Sequence, residues 1–126
     1  MEKALGNILT NNTDLYSAVK GQISPLKRDG YPSVTYEKTG REEDIDISGN
    51  GTGIVRTSFT ITARATTYTA AKQISEIIKR SVKGPYTQIT EPKIYLSVLE
   101  DEKEDQLLDP DITEISIDYT FHHTAA

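Results

Sequence analysis

The sequence predicts an α+β domain in which a central helix packs on a mostly antiparallel sheet, and three segments support this prediction. In residues 54–65 apolar and polar side chains alternate with a period of two, as in a strand with one buried face. In residues 67–83 apolar side chains recur every three or four positions, which is typical of a helix with one apolar face. Residues 114–122 alternate again. Elements that are each apolar on one side can share one core.

The central helix is predicted to span about residues 67–83. Thr66 or Thr67 can provide the N-cap oxygen, and Gly84 followed by Pro85 is typical of a helix end. The apolar stripe that should face the sheet consists of Ala70, Ala71, Ile74, Ile77, Ile78 and Val82.

An N-terminal helix is predicted from the apolar residues at positions 4, 5, 8 and 9. Asn12 or Thr13 can cap a second helical segment that ends at Gly21. The pattern is compatible with one kinked helix and with two separate helices.

Two or three strands are expected before the central helix and two after it. Besides residues 54–65, the candidates are a short piece around Ile23 and residues 33–38. After the helix, residues 93–100 and 114–122 form strands, and residues 87–90 are a further short extended piece. In residues 93–100 one face should carry Ile94, Leu96 and Val98 and the other Tyr95, Ser97 and Leu99.

Two polar stretches, residues 39–53 and 101–111, are predicted to be long loops. The first contains four glycines and an acidic run, and the second forms the acidic tip of an antiparallel hairpin. Loops of this length in small domains are usually functional or disordered.

Composition limits the classes of protein that fit. The chain of 126 residues suits one domain with one core. It has no cysteine, which excludes disulfides and cysteine–metal sites. Its net charge of −5 argues against a general affinity for nucleic-acid backbones. We expect neither a signal peptide nor a membrane span, because no long apolar run is present.

No constellation of residues predicts catalysis, a cofactor or a metal. Asp44, Asp46 and Ser48 begin like a calcium loop, but Val55 stands where the closing glutamate is required. His122 and His123 are adjacent in a predicted strand, so they point to opposite faces and cannot readily chelate one ion. We therefore expect a protein that is not an enzyme.

The order of segments resembles the tail-completion proteins of long-tailed phages, which are also called tail-terminator or head–tail joining proteins. The resemblance covers most of the chain but not residues 39–53. It rests on Leu5, Ile8 and Leu9, the segment 15–23 followed by Pro25, Thr57–Tyr68 leading into the helix 71–82, and the strands 94–100 and 115–121 around an acidic stretch.

The resemblance implies a structural virion protein that forms a hexameric ring, caps the completed tail tube and joins the tail to the head connector. Its partners would be copies of itself, the tail tube protein and the head connector or stopper protein, while DNA passes through without specific binding. It would be assembled in the bacterial host cytoplasm and reside at the head–tail junction of the virion. The residues expected to contact these partners are Glu42, Glu43, Asp44, Asp46, Asp101, Glu102, Glu104, Asp105, Leu107 and Leu108.

Two alternatives remain open. One is a different head–tail connector or joining protein at the same junction, and the other is a small α+β regulatory or ligand-binding domain.

Overall fold

The computed structural model describes residues 2–19, 23–25, 32–45, 51–83, 94–108 and 111–124. Three helices and five strands follow one another in these ranges. Their order is α1 (Glu2–Asn11), α2 (Thr13–Ala18), β1 (Ile23–Pro25), β2 (Ser33–Ile45), β3 (Gly51–Ala65), α3 (Tyr68–Val82), β4 (Ile94–Leu108) and β5 (Asp111–Thr124).

The strands form one sheet in the order β1-β2-β3-β5-β4. Strand β1 runs parallel to β2, and the other three pairings are antiparallel. The predicted fold class is confirmed, because a mostly antiparallel sheet carries the central helix together with an N-terminal helix.

The core lies between α3 and one face of β3 and β5. Phe59 and Phe121 are fully buried and meet edge to face, with ring centroids 6.0 Å apart. The predicted alternation of β3 and β5 is confirmed, since their apolar positions are buried and their outward positions are mostly half-buried. The buried apolar residues of β3 and β5 in this core are Phe59, Ile61, Ala63, Ala65, Ile115, Ile117, Tyr119 and Phe121.

The N-terminal segment consists of two helices separated at Asn12. The Asn12 side-chain oxygen accepts a hydrogen bond from the Leu15 amide at 3.0 Å, which identifies Asn12 rather than Thr13 as the N-cap of α2. The Asn12 side-chain nitrogen donates to the Ser81 hydroxyl at 2.6 Å. One side chain therefore both begins α2 and connects it to α3.

Helix α3 begins at the second of the two threonines that the sequence allowed as N-cap. The Thr67 hydroxyl accepts a hydrogen bond from the Ala70 amide at 3.2 Å. The buried positions of α3 include Ala71, Ile74 and Ile78 of the predicted apolar stripe. The predicted stop at Gly84 and Pro85 and the extended piece at residues 87–90 lie outside the described residues.

The predicted face of Ile94 on β4 is wrong because the strand contains a register shift, whereas Leu96 and Val98 share one face and Ser97 and Leu99 the other, as predicted. Ile94 lies opposite His123 and Leu96 opposite His122, so one residue of β4 is left over between them. The two side chains therefore lie on opposite faces instead of the same one. Ile94 is buried, whereas Leu96 is 52% exposed.

The two predicted long loops are largely strands. Residues 39–45 belong to β2 and residues 101–108 to β4, and both extend hairpins in which they pair with β3 and β5. Glycine and acidic residues have low strand propensity, but cross-strand pairing outweighs that preference here. The remaining residues of the two predicted loops, 46–50 and 109–110, lie outside the described residues.

Replacing Thr67 with Ala should lower the free energy of unfolding by about 1 kcal/mol, because the first turn of α3 loses its capping oxygen. Urea denaturation of the wild type and the variant measures this difference. Thr66→Ala is the matched control, because Thr66 is exposed and is not the cap. Equal losses in both variants would contradict the assigned cap.

Candidate functional site

The two extended hairpins reach opposite ends of the sheet. The pairing of β3 with β5 begins at Ile54. The hairpin of β2 and β3 extends three residues of β3 further, to Ile45 opposite Gly51. In the hairpin of β4 and β5, pairing continues to Leu108 opposite Asp111, past the end of β3. Fifteen residues of β3 span roughly 50 Å at about 3.4 Å per residue, so these two terminal pairs lie far apart.

The predicted contact residues divide between these hairpins. Glu42 is exposed on β2, and the backbones of Glu43 and Asp44 continue that strand, whereas Asp46 lies outside the described residues. The second group lies on β4, where Asp101, Glu104 and Asp105 are exposed, Glu102 is half-buried, and the backbones of Leu107 and Leu108 end the strand.

The β4 carboxylates face two directions. A second register shift, between Leu99 and Asp101, sets the alternation of the following residues. Glu102 and Glu104 consequently lie opposite Ile117 and Ile115 on the face that carries α3. Asp101, Lys103 and Asp105 alternate with them and lie on the other face.

Glu102 and Glu104 form ion pairs with the lysines of α3. The Lys79 ammonium donates to one Glu102 oxygen at 2.8 Å, and Lys72 donates to Glu104 at 3.2 Å. The other Glu102 oxygen lies 3.8 Å from Lys72. Glu76 adds a contact of 3.3 Å to Lys79. This lysine–glutamate cluster (Lys72, Glu76, Lys79, Glu102 and Glu104) connects the acidic half of β4 to α3.

The cluster favours the charged form of its lysines. The hydrogen bond to Glu102 is the largest cause that raises the pKa of Lys79 above the ordinary lysine value, against an opposing effect of burial. The hydrogen bond to Glu104 likewise raises the pKa of Lys72. Both lysines are therefore fully charged at neutral pH.

The face of the sheet opposite α3 carries a row of polar pairs between β3 and β5. The Thr60 hydroxyl donates to Asp118 at 2.7 Å, and the Arg64 guanidinium donates to Glu114 at 2.9 Å and to Thr35 at 2.7 Å. Ser58 lies 3.1 Å from Thr120 and Thr62 lies 3.4 Å from Ser116, again between hydroxyl oxygens. Each pair between β3 and β5 joins residues that are directly opposite in the register. The contact of Arg64 with Thr35 extends the row to β2, where Thr35 lies opposite Thr62. The polar face is therefore connected across the central strands.

A shallow groove of about 350 Å³ crosses this polar face near the hairpin of β2 and β3. Arg56 and Glu42 form an ion pair of 3.2 Å within it, and both side chains are well exposed. Gly40 lines the groove with open space where a side chain would project. The remaining lining residues are Arg41, Ser58, Glu100 and Thr120. The groove is polar and carries both signs of charge.

The two histidines point to opposite faces, as their adjacent positions predicted. His123 is buried on the core side, with its Nε2 atom 2.7 Å from the Thr57 hydroxyl, and His122 is half-buried on the polar face. Within the described part of the chain, no group of three or more His, Cys, Asp or Glu side chains could hold a metal ion. None of the described helices is long and apolar enough to cross a membrane.

Comparison with known proteins gives a similar fold. No family model matches the sequence, and no curated protein matches it. Among solved structures, the chain is similar to a chain in the virion of a native gene transfer agent (GTA) particle, with a TM-score of 0.73 and 11% sequence identity. The match covers 99% of this chain and 95% of that chain. The two chains share one fold over nearly their whole lengths.

Replacing Lys79 with Met should lower the free energy of unfolding at pH 7 by about 1 kcal/mol, because Glu102 loses its nearest cation. The pKa of Lys79 is raised in the folded state, so this stabilisation is fully present below the ordinary lysine pKa of 10.5 and is lost as pH rises through the raised value. Chemical denaturation at pH 7 and at about pH 11.5 should show a difference between wild type and variant that shrinks at the higher pH.

Lys83→Met is the matched control, since Lys83 is an exposed lysine just after α3 and no ion pair is described for it. A difference between wild type and Lys79→Met that stays constant over this pH range would contradict an electrostatic role for Lys79.

Proposed function

We propose that this protein is a structural component of a phage-like virion that caps the completed tail tube as a hexameric ring and joins the tail to the head connector. The observation that carries the virion assignment is the shared fold with a chain of the gene transfer agent virion over 99% of this chain and 95% of that chain. The finer assignment to the head–tail junction comes from the sequence resemblance to tail-completion proteins.

The arrangement of the hairpins supports a position between two axial partners. Their last described pairs, Ile45 with Gly51 and Leu108 with Asp111, lie at opposite ends of the sheet, so one subunit could contact a tail-side partner and a head-side partner simultaneously. In this proposal the partners are the tail tube protein and the connector or stopper protein, and copies of the chain surround DNA that passes without specific binding. The net charge of −5 per copy is consistent with weak attraction to DNA.

The role is proposed to be structural and not enzymatic. The polar groups on the open face of the sheet bind one another across β3 and β5, as in the pairs of Thr60 with Asp118 and Arg64 with Glu114. Such pairs rigidify a strand surface. The charged residues of α3 and β4 likewise hold an extended hairpin in place.

A nonsense mutation in the gene, examined by electron microscopy of a phage lysate, tests the proposed function. Filled heads beside detached tails, some of them longer than normal, are expected because neither the cap nor the joint can form. Detached tails of normal length would move the role to the connector side. Intact virions of correct size would contradict any role at the junction and favour the regulatory or ligand-binding alternative.

Neutralising Asp101 and Asp105 together as Asn should reduce the number of joined particles several-fold while leaving the subunit folded. These carboxylates are exposed on β4, and they lie on the face away from the lysine–glutamate cluster. Infectious titre and particle counts measure joining, and thermal denaturation measures folding.

Asp14→Asn is the matched control, since Asp14 is an exposed carboxylate on α2. Unchanged joining in the Asp101 and Asp105 variant would rule out an axial role for these carboxylates.

A further inference from the structure

The described sheet has an open edge on each side. Strand β4 is the last strand on one side. On the other side, β1 covers β2 only from Val34 to Tyr36. On the side away from β3, no described strand pairs with positions 37–45 of β2. Open strand edges present unpaired backbone donors and acceptors, to which another extended strand can bind.

The open parts of both edges lie at the same level of the sheet, that is, at the same position along the strand direction. Leu99 of β4 is opposite Tyr119, which is opposite Phe59, which is opposite Lys38 of β2. The same alignment relates the next apolar position of β4 to β2. It runs from Leu96 through His122 and Arg56 to Glu42.

The remaining half of each edge is blocked, again at one level. Val34 and Tyr36, which β1 covers, are level with Glu104 and Glu102 of β4. In that half every residue of β4 from Asp101 to Asp105 is charged, with Lys103 as the one cation among four carboxylates. Charged side chains on an edge strand oppose the addition of a further strand. Only the half around Leu96 and Leu99 is therefore suited to pairing.

The exposed apolar residues are concentrated beside the open half of β4. Four large apolar side chains in the described part of the chain are about half exposed, namely Tyr16, Tyr68, Leu96 and Leu99. The two tyrosines lie on helices, whereas the two leucines lie on β4. Leu99 lies on the α3 side and Leu96 on the opposite side, so the pair flanks the edge from above and below.

We propose that residues 96–100 of β4 pair with residues 37–42 of β2 in a second copy of this chain, which makes the sheet continuous between copies. The exposed Glu100 of β4 has the opposite charge to the exposed Lys38 and Arg41 of β2. The same segment of β2 also exposes Glu37 and Glu42, so its net charge is zero. The inference rests on the ring of the proposed function and identifies the surfaces that would join its neighbours.

The strand directions agree with such a contact. Strand β4 is antiparallel to β5, and β5 has the same direction as β2 because both are antiparallel to β3. In a ring whose axis runs along the strands, rotation preserves strand direction, so β4 of one copy meets β2 of the next in antiparallel orientation. The contact uses a different surface on each copy, and repeated contacts of this type close into a ring.

Cysteine cross-linking in assembled particles tests the pairing, because the chain contains no cysteine of its own. The double variant Leu99→Cys and Lys38→Cys places thiols at one level and on one face of the joined sheet. Within one chain these positions are separated by three strand spacings, or about 14 Å. A disulfide requires Cα atoms within about 7 Å, so any disulfide joins two copies.

Mild oxidation of purified particles should convert most of the double variant into a ladder of multimers on a non-reducing gel. Each single variant should remain monomeric, and so should the control Tyr16→Cys with Tyr68→Cys, whose positions are equally exposed. Dimers of the Leu99→Cys single variant would overturn the proposal, because they would show that β4 pairs with β4. A double variant that is present in particles but does not cross-link would overturn it as well.

Wild-type protein provides a second measurement that requires no substitution. Carbodiimide should couple Lys38 to Glu100, and mass spectrometry of the dimer band cut from a denaturing gel of particles should detect this link. If particles lack the protein, the proposed function fails, and the same link is then sought in concentrated purified protein. Absence of the link in whichever sample contains the protein overturns the edge pairing.

Discussion

The pairing of β3 with β5 determines where the other elements lie. The two strands pair without a register shift from Ile54 opposite Thr124 to Ala65 opposite Thr113. Apolar side chains therefore remain on the face under α3, and hydroxyl and charged side chains remain on the other. The pairings of β3 with β2 and of β5 with β4 contain register shifts instead. The irregular geometry therefore lies on either side of the central pair, where an extra residue disturbs fewer core contacts.

The elements that the sequence predicted well are those whose periodicity is imposed by burial. Strand β5 and helix α3 each place one side against the core, so their residues repeat with periods of two and of three to four. The ends of β2 and β4 show no such repeat of apolar residues. Residues 39–45 and 101–108 pair on one side only and consist largely of residues with low strand propensity. Their strand character depends on the neighbouring strands and has no local pattern.

The acidic segment of β4 could be found from the sequence, but the direction of its carboxylates could not. That direction depends on the register shift between Leu99 and Asp101, because a displacement of one residue moves every following side chain to the other face. Glu102 thereby faces Lys79, and Asp101 faces away from α3. The sequence does contain one indication of this contact. Lys72 and Lys79 lie seven positions apart and therefore on one side of a helix. This spacing indicates an acidic neighbour without identifying which residues supply it.

Contacts at the ends and at the edges of the sheet would perform separate tasks in a ring. The open halves of both edges lie at the level of Leu99 and Lys38, whereas the last described pairs of the two hairpins lie at opposite ends of the strands. If copies join through their edges, the strands run along the ring axis and these two ends face opposite sides of the ring. The lysine–glutamate cluster then has a role in assembly. It holds the acidic half of β4 against α3, and the other half of β4 remains available to a neighbouring copy. Loss of an axial contact would leave the ring intact, whereas loss of edge pairing would remove both functions together.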